Sequence, residues 1–153
     1  MALQEKQNTA SPKKGKKYFT ISESNQALCL VSKIVDDLSV SYRQAVKVRQ
    51  RIEHTSVDID LTELKSRYET EMGKLNGFID ELQQVGVELK DFEKCILDFP
   101  AMHEGREIYL CWHKGEDKVN SWHELDQGMY GRKDISLLVN ARSTAAQEKL
   151  INY

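Results

Sequence analysis

The longest regular pattern of apolar and polar residues lies between residues 28 and 52. Apolar residues recur there at alternating steps of three and four, the spacing of the buried face of a helix that packs against another helix. Thr20 followed by Glu23 has the form of a capping box, with Ser22 as an alternative cap. The pattern predicts a helix over about 20–54, whose apolar face comprises Leu28, Val31, Val35, Leu38, Tyr42, Ala45 and Ile52.

A second stretch with the same period covers about 61–85. The segment TSVDID at 55–60 interrupts the first pattern and offers cap candidates at Asp58, Asp60 and Thr62. Gly86 is placed for the left-handed residue that ends many helices, and Val87 follows as its apolar partner. Two helices joined by so short a loop predict an antiparallel hairpin.

Such a hairpin has one shared seam and leaves other apolar positions uncovered. They are Leu30, Ile34, Met72 and Ile79. Either the C-terminal part of the chain or a second copy of the protein has to cover them.

Beyond Gly86 the helical period disappears and short β-type patterns replace it. They predict strands at about 95–99, 106–113 and 119–125, with the first ending at Pro100 and His103 exposed in the following turn. Consecutive short strands form an antiparallel meander, which is stable only when one face is covered. The predicted fold class is therefore α+β, with a long antiparallel, coiled-coil-like two-helix hairpin followed by a small three-stranded antiparallel β-meander.

The two ends of the chain are more polar than its middle. Residues 1–17 include Pro12, Gly15 and the lysines at 13, 14, 16 and 17, and they predict a disordered basic tail because they offer too little apolar surface to bury. Residues 136–153 predict a C-terminal tail that has room for a short helix. A single domain is thus expected at 18–135.

Charge and cysteine content narrow the class of protein. The net charge of −2 creates no general attraction for nucleic acid or an anionic membrane, so neither is an expected partner. No apolar run approaches the roughly 18 residues of a membrane span, and the first residues lack an export signal. Cys29, Cys95 and Cys111 form no CxxC pair, which favours reduced thiols and a cytoplasmic location.

The predicted second and third strands carry a candidate metal site. If Trp112 pairs with Trp122, then Cys111 faces His123 and His113 lies diagonally on the same side. These three residues suit a transition metal such as zinc. The alternative is a polar sheet face without metal. The sequence favours this alternative because a one-residue slip separates the ligands, so no cofactor is predicted.

A candidate ligand site follows directly along the chain. His123, Glu124, Asp126 and Arg132, with Arg106 from the neighbouring strand, could orient and protonate a small anionic ligand. Backbone amides near Gly128 and Gly131 could help to cradle it. The alternative, which the sequence favours, is an ion-pair network that holds the loop against the sheet.

Five segments, in this order, carry a resemblance to a known family: YFTISESNQALCLVSKIVDDL, GVELKD, CILDFPA, GREIYLCW and WHELDQGMYGR. Together they resemble a small, uncharacterised bacterial family of unknown function over about 18–135. The resemblance implies a long helical pair followed by a short β-region and implies no activity. It also favours His123, Glu124, Asp126 and Arg132 over His113 as site residues.

Two functions are compatible with these patterns. The first is a non-enzymatic cytosolic interaction or scaffold protein that forms a homodimer through its helices, because much of the chain is amphipathic helix. The second is a small-ligand- or metal-binding protein, which could be an enzyme, using the region His123–Arg132. No dinucleotide or phosphate loop and no Ser/His nucleophile pattern is present, so the sequence leans away from an enzyme.

Overall fold

The structure, a computed structural model, describes residues 15–56 and 60–140, with side chains up to Leu138. Two long helices, α1 (Ile21–Glu53) and α2 (Thr62–Val85), precede five strands: β1 (Glu88–Asp91), β2 (Ile96–His103), β3 (Arg106–His113), β4 (Ser121–Glu124) and β5 (Lys133–Asp134). A 3₁₀ turn (Met129–Gly131) lies between β4 and β5, and a short helix α3 (Ser136–Asn140) follows β5. The predicted α+β class, a helical hairpin followed by an antiparallel sheet, is confirmed.

Parts of the sequence predictions lie outside the described residues. Residues 1–14 of the predicted N-terminal tail, the cap candidate Asp58 and the C-terminal tail from 141 onward belong to this group.

The start of α1 and the end of α2 follow local sequence signals, whereas α2 begins after Leu61 without a side-chain cap, so neither Asp60 nor Thr62 is its cap. The Thr20 side chain accepts a hydrogen bond from the Glu23 backbone N–H at 3.0 Å, and the Glu23 carboxylate accepts one from the Thr20 N–H at 3.1 Å, so the predicted capping box is confirmed. Gly86 ends α2 with φ 100°, in the left-handed region as predicted. Within the described ranges, no helix combines the length and the apolar content that crossing a membrane requires.

The sheet has five strands in the order β1-β2-β3-β4-β5, all antiparallel, rather than the predicted three. The two additional strands are the outermost ones. β1 is four residues long and β5 only two, and both are largely polar in sequence. Edge strands this short and polar leave no clear alternating pattern, which is why the sequence did not predict them.

Strand β2 continues through Pro100 to His103, so the prediction that Pro100 ends the strand is wrong. The Pro100 carbonyl accepts a hydrogen bond from the Phe19 N–H at 2.7 Å, on the side of β2 away from β3. Pro100 therefore interrupts no bond of the β2–β3 ladder, a position where proline is tolerated. His103, expected to be exposed, is 4% exposed in β2.

The hydrophobic core lies between the helices and one face of the sheet, here called the inner face. Leu97, Phe99, Ile108, Leu110 and Trp122 of this face are buried together with α1 residues that include Val31, Val35 and Leu38. The predicted uncovered position Ile34 is also buried, and Met72 and Ile79 pack against the same core. The sheet thus supplies cover that a second copy of the chain would otherwise have to supply.

The strand register differs from the expected one by two residues. Trp122 pairs with Leu110 and not with Trp112, and His123 pairs with Tyr109. Since side chains alternate with a period of two, this shift leaves Cys111 and His123 on the same face. That face, opposite the helices, is called the outer face below.

Candidate functional site on the outer face of the sheet

The outer face carries polar side chains at its centre, where a solvent-exposed sheet normally has them, but several of these are buried. Asp98 lies opposite Cys111 across β2 and β3, and His123 lies opposite Tyr109 across β3 and β4. Asp98, Cys111 and His123 are 2%, 0% and 3% exposed. Buried polar groups need partners, because an unpaired one costs roughly 1–3 kcal/mol. The partners of these three are largely one another.

Asp98, Cys111 and His123 form a compact cluster, called the DCH cluster below. One carboxylate oxygen, the Sγ atom and one ring nitrogen all lie within 4.8 Å of one another. The closest contact joins His123 Nε2 to Asp98 Oδ1 at 2.9 Å. The cluster therefore brings three different metal-ligand atoms together on three adjacent strands.

His123 is held by hydrogen bonds at both ring nitrogens. Nδ1 lies 2.7 Å from the Glu124 carbonyl oxygen, an atom that can only accept, so Nδ1 carries a proton. Nε2 faces the Asp98 carboxylate. Burial works against the charged ring, but the hydrogen bonds to Asp98 and to the Glu124 carbonyl outweigh it and raise the pKa of His123 above its usual value. The contact with Asp98 thus favours the protonated form of the ring.

Cys111 is a protonated thiol rather than a reactive thiolate. Burial and then the neighbouring Asp98 charge raise the pKa of Cys111 to about 12. A cysteine nucleophile needs the opposite environment, with a lowered pKa. The ring also has no nitrogen available to a nucleophile, because Nε2 bonds to Asp98 and Nδ1 bonds to the Glu124 carbonyl. This arrangement does not suit thiol-based acyl transfer.

A pocket of about 560 Å³ opens on the outer face, and Asp98 and His123 reach it. Its volume falls within the range typical of small-molecule sites. Lys90, Lys94 and Asp91 supply charged groups, and the segment after β4 supplies the opposite wall. The remaining lining residues are Ile96, Tyr109, Leu125, Gln127, Gly128, Met129 and Tyr130.

Tyr109 is fixed at the side of the pocket by its neighbours. Its hydroxyl donates to Glu88 Oε1 at 3.1 Å, and the Lys90 Nζ atom lies 4.7 Å from the ring centroid. Burial, followed by the Glu88 charge, raises the pKa of Tyr109 to about 12, so the phenol remains protonated. The ring also lies 5.5 Å from the His123 ring, which restricts both side chains.

A second polar group holds the end of the segment after β4. One terminal nitrogen of Arg132 donates to both Glu116 carboxylate oxygens at 2.8 Å and to the Ser121 hydroxyl at 2.9 Å. His113 Nε2 lies 3.7 Å from the same Glu116 carboxylate. The sequence-predicted residues Arg132 and His113 are thus together, but in this group and not in the DCH cluster.

Other sequence-predicted site residues lie elsewhere. Glu124 points to the inner side of the sheet, where it pairs with Arg106 at 2.6 Å. The hydrogen bonds between the two side chains are the main reason why the pKa of Arg106 is raised and the pKa of Glu124 is lowered, as expected for an ion pair. Asp126 is exposed in the turn after β4. The structure therefore does not bring Arg106, Glu124 and Asp126 into the pocket that His123 lines.

Residues 17–135 match the family described as "Uncharacterized conserved protein (DUF2203)". The match covers well over half of the chain. The chain belongs to this family. The expectation that residues of about 18–135 belong to an uncharacterised family is confirmed. Searches of curated proteins and of solved structures found no match.

Sequence reasoning missed Asp98, Lys90 and Lys94 at this site. Asp98 had a visible signal, because it is the single charged residue in the run CILDFPA, where a strand buried on both sides would carry apolar residues. Lys90 and Lys94 had no such signal, since their role depends on β1 and on the turn that follows it. Their proximity to His123 is a consequence of sheet order alone.

Proposed function

We propose that this protein binds a small anionic molecule in the pocket on the outer face of the sheet. The observation that carries the proposal is the composition of the pocket: a buried, fully hydrogen-bonded His123–Asp98 pair at its base and two lysines at its walls. This is a narrower form of the small-ligand alternative from the sequence, with a different set of residues around His123.

The charges around the pocket favour an anion. Asp98 pairs with His123 at 2.9 Å, and Glu88 lies 3.0 Å from Lys90 Nζ. Asp91 accepts a hydrogen bond from the Lys94 backbone N–H at 2.7 Å. The Lys94 ammonium forms no ion pair with the residues that the structure describes. A carboxylate or phosphate group is the natural partner of an ammonium group in such a position.

The apolar lining sets a second requirement for the ligand. Ile96, Leu125 and Met129 line the pocket together with the two tyrosine rings. Small-molecule sites combine such apolar walls with a few polar groups that fix orientation. The proposed ligand therefore has an acidic group near Lys94 and an apolar or aromatic body.

A thermal-shift screen tests the proposal. The metal-free full-length protein, kept in EDTA, is mixed with a panel of small aliphatic and aromatic carboxylates and phosphate esters. A ligand at about 100 times its Kd adds about 2.7 kcal/mol of stability, which gives a clear rise in Tm. Lys94→Gln should remove most of this rise, whereas Lys33→Gln, an exposed lysine on α1, should leave it unchanged. The proposal is wrong if no panel member raises the Tm, or if both variants lose the effect equally.

Self-association through the helical hairpin is a second candidate function. Its supporting observation is that the apolar side chains Leu30 and Val40 on α1 are 55% and 49% exposed. A homodimer scaffold in the cytosol would cover them. Light scattering at micromolar concentration should give twice the monomer mass, and a monomer mass would reject this candidate.

A further inference from the structure

We propose that Asp98, Cys111 and His123 bind one divalent transition-metal ion, with zinc the best match, at the base of the outer-face pocket. The inference deepens the proposed function, since the metal would lie where the anion binds. The sequence-predicted set contained His113 in place of Asp98; the carboxylate completes the set because it lies directly across from Cys111.

The three donor atoms are close enough for tetrahedral zinc. They lie within 4.8 Å of one another, and ligands on one zinc ion are separated by about 3.5 Å when the bonds have their usual lengths of about 2.0–2.3 Å. Small side-chain rotations cover the difference. The backbone does not need to move, because β2, β3 and β4 are hydrogen-bonded neighbours in the middle of the sheet.

His123 is already oriented as a metal ligand. Its Nδ1–H donates to the Glu124 carbonyl at 2.7 Å, which directs Nε2 toward Asp98 and Cys111. Histidines that bind metals almost always donate their other ring N–H to a carbonyl or carboxylate in this way, and the bond fixes both the tautomer and the ring orientation.

The charge of the DCH cluster suits a dication. A metal-bound cysteine is a thiolate and a metal-bound histidine is neutral. When zinc binds, the Cys111 thiol proton and any proton on His123 Nε2 therefore pass to solvent. The thiolate and the Asp98 carboxylate then balance the two charges of the metal, so metal binding leaves no uncompensated charge in the protein interior.

The ligand types select the class of metal. A thiolate with an imidazole favours zinc and its transition-metal neighbours, and it does not suit magnesium or calcium, which prefer oxygen ligands. Three protein ligands leave one tetrahedral position vacant. Asp98 and His123 line the pocket, so this position faces it and can accept water or an acidic group of the ligand.

Two measurements on the full-length protein test the inference. Protein purified without chelators is analysed for metal content, and we expect about one zinc per chain. Protein stripped with EDTA is then titrated with cobalt(II), whose absorption shows a sulfur-to-cobalt charge-transfer band when a thiolate binds. Cys111→Ser should abolish this band, and Cys29→Ser and Cys95→Ser, which change the other two thiols, should preserve it.

A second variant tests the inference independently, in case the cysteine variant does not fold. Asp98→Asn keeps the shape of the side chain, and circular dichroism checks its fold. It should retain the charge-transfer band but weaken cobalt binding by about 100-fold or more, since loss of an outer hydrogen-bond partner alone costs about 10–100-fold.

The inference is overturned if stripped wild-type protein gives no charge-transfer band, or if the band persists in folded Cys111→Ser protein. It is also overturned if folded Asp98→Asn protein binds cobalt as tightly as the wild type. The two proposals can fail separately: the anion screen uses metal-free protein, and the cobalt titration uses no anionic ligand.

Discussion

Replacing His123 by leucine removes the partner of a buried carboxylate without leaving a large cavity. His123 and Asp98 side chains are each 3% exposed and 2.9 Å apart. Breaking a buried ion pair by removing one partner costs about 3–5 kcal/mol. Protonation limits this cost, because an ordinary aspartate takes up a proton at pH 7 for about 4 kcal/mol. We therefore expect His123→Leu to lower the free energy of unfolding by about 4 kcal/mol.

The reverse change should be milder. Asp98→Leu leaves the imidazole behind, and an imidazolium loses its proton near neutral pH at almost no cost. What remains is an unmade hydrogen bond at Nε2, worth about 1–3 kcal/mol. The double variant His123→Leu/Asp98→Leu leaves no buried charge at this position, so it should be more stable than His123→Leu alone. In other proteins, replacing a buried ion pair by apolar residues is likewise often neutral or stabilising.

Urea unfolding at pH 7 in EDTA, followed by tryptophan fluorescence, measures these differences. The matched control is Glu53→Ala, which breaks the Arg49–Glu53 pair, whose side chains are 56% and 60% exposed. It should cost no more than about 0.5 kcal/mol. A loss below about 1 kcal/mol for His123→Leu, or a larger loss for Asp98→Leu, would refute the account of the pair as buried and charged.

Four further predictions concern the two long helices and the inner-face ion pair. Thr20→Ala should lower the free energy of unfolding by about 1 kcal/mol through loss of the capping box, and Thr20→Ser should restore it; thermal unfolding compares them. Gly86→Ala should destabilise by at least about 1 kcal/mol, because φ is 100° and the new Cβ would lie 3.2 Å from the Lys17 Cβ. In contrast, Gly73→Ala in α2, with nothing within 4 Å, should stabilise by about 0.5–1 kcal/mol; urea unfolding that ranks the two glycine variants the other way would contradict this. Arg106→Ala should leave cobalt binding and any anion-induced Tm shift unchanged, because Arg106 pairs with Glu124 away from the pocket; a clear loss of either would contradict the placement.

The helices were predictable because their signals are local. The apolar period, the Thr20–Glu23 capping box and Gly86 each act within a few residues of the element that they define. For Cys111 and His123, which lie on different strands, the sequence placed both side chains on one face only under an assumed register, since a one-residue slip would have separated them.

Only the tertiary structure decided which residues accompany His123. Strand register and sheet order depend on packing against the helices, and a pattern of single residues does not contain them. The observed register differs from the expected one by two residues, and this difference separates His113 from His123. The pairing of β2 with β3 places Asp98 beside Cys111, next to His123 on β4. Glu124 differs in this respect: it is next to His123 in the chain but on the other face, because neighbouring strand residues point apart, a local rule that applies to the predicted strand without any tertiary structure. In this protein, helix positions follow from local chemistry, whereas the DCH cluster and its pocket exist only because non-local strand pairing brings their residues together.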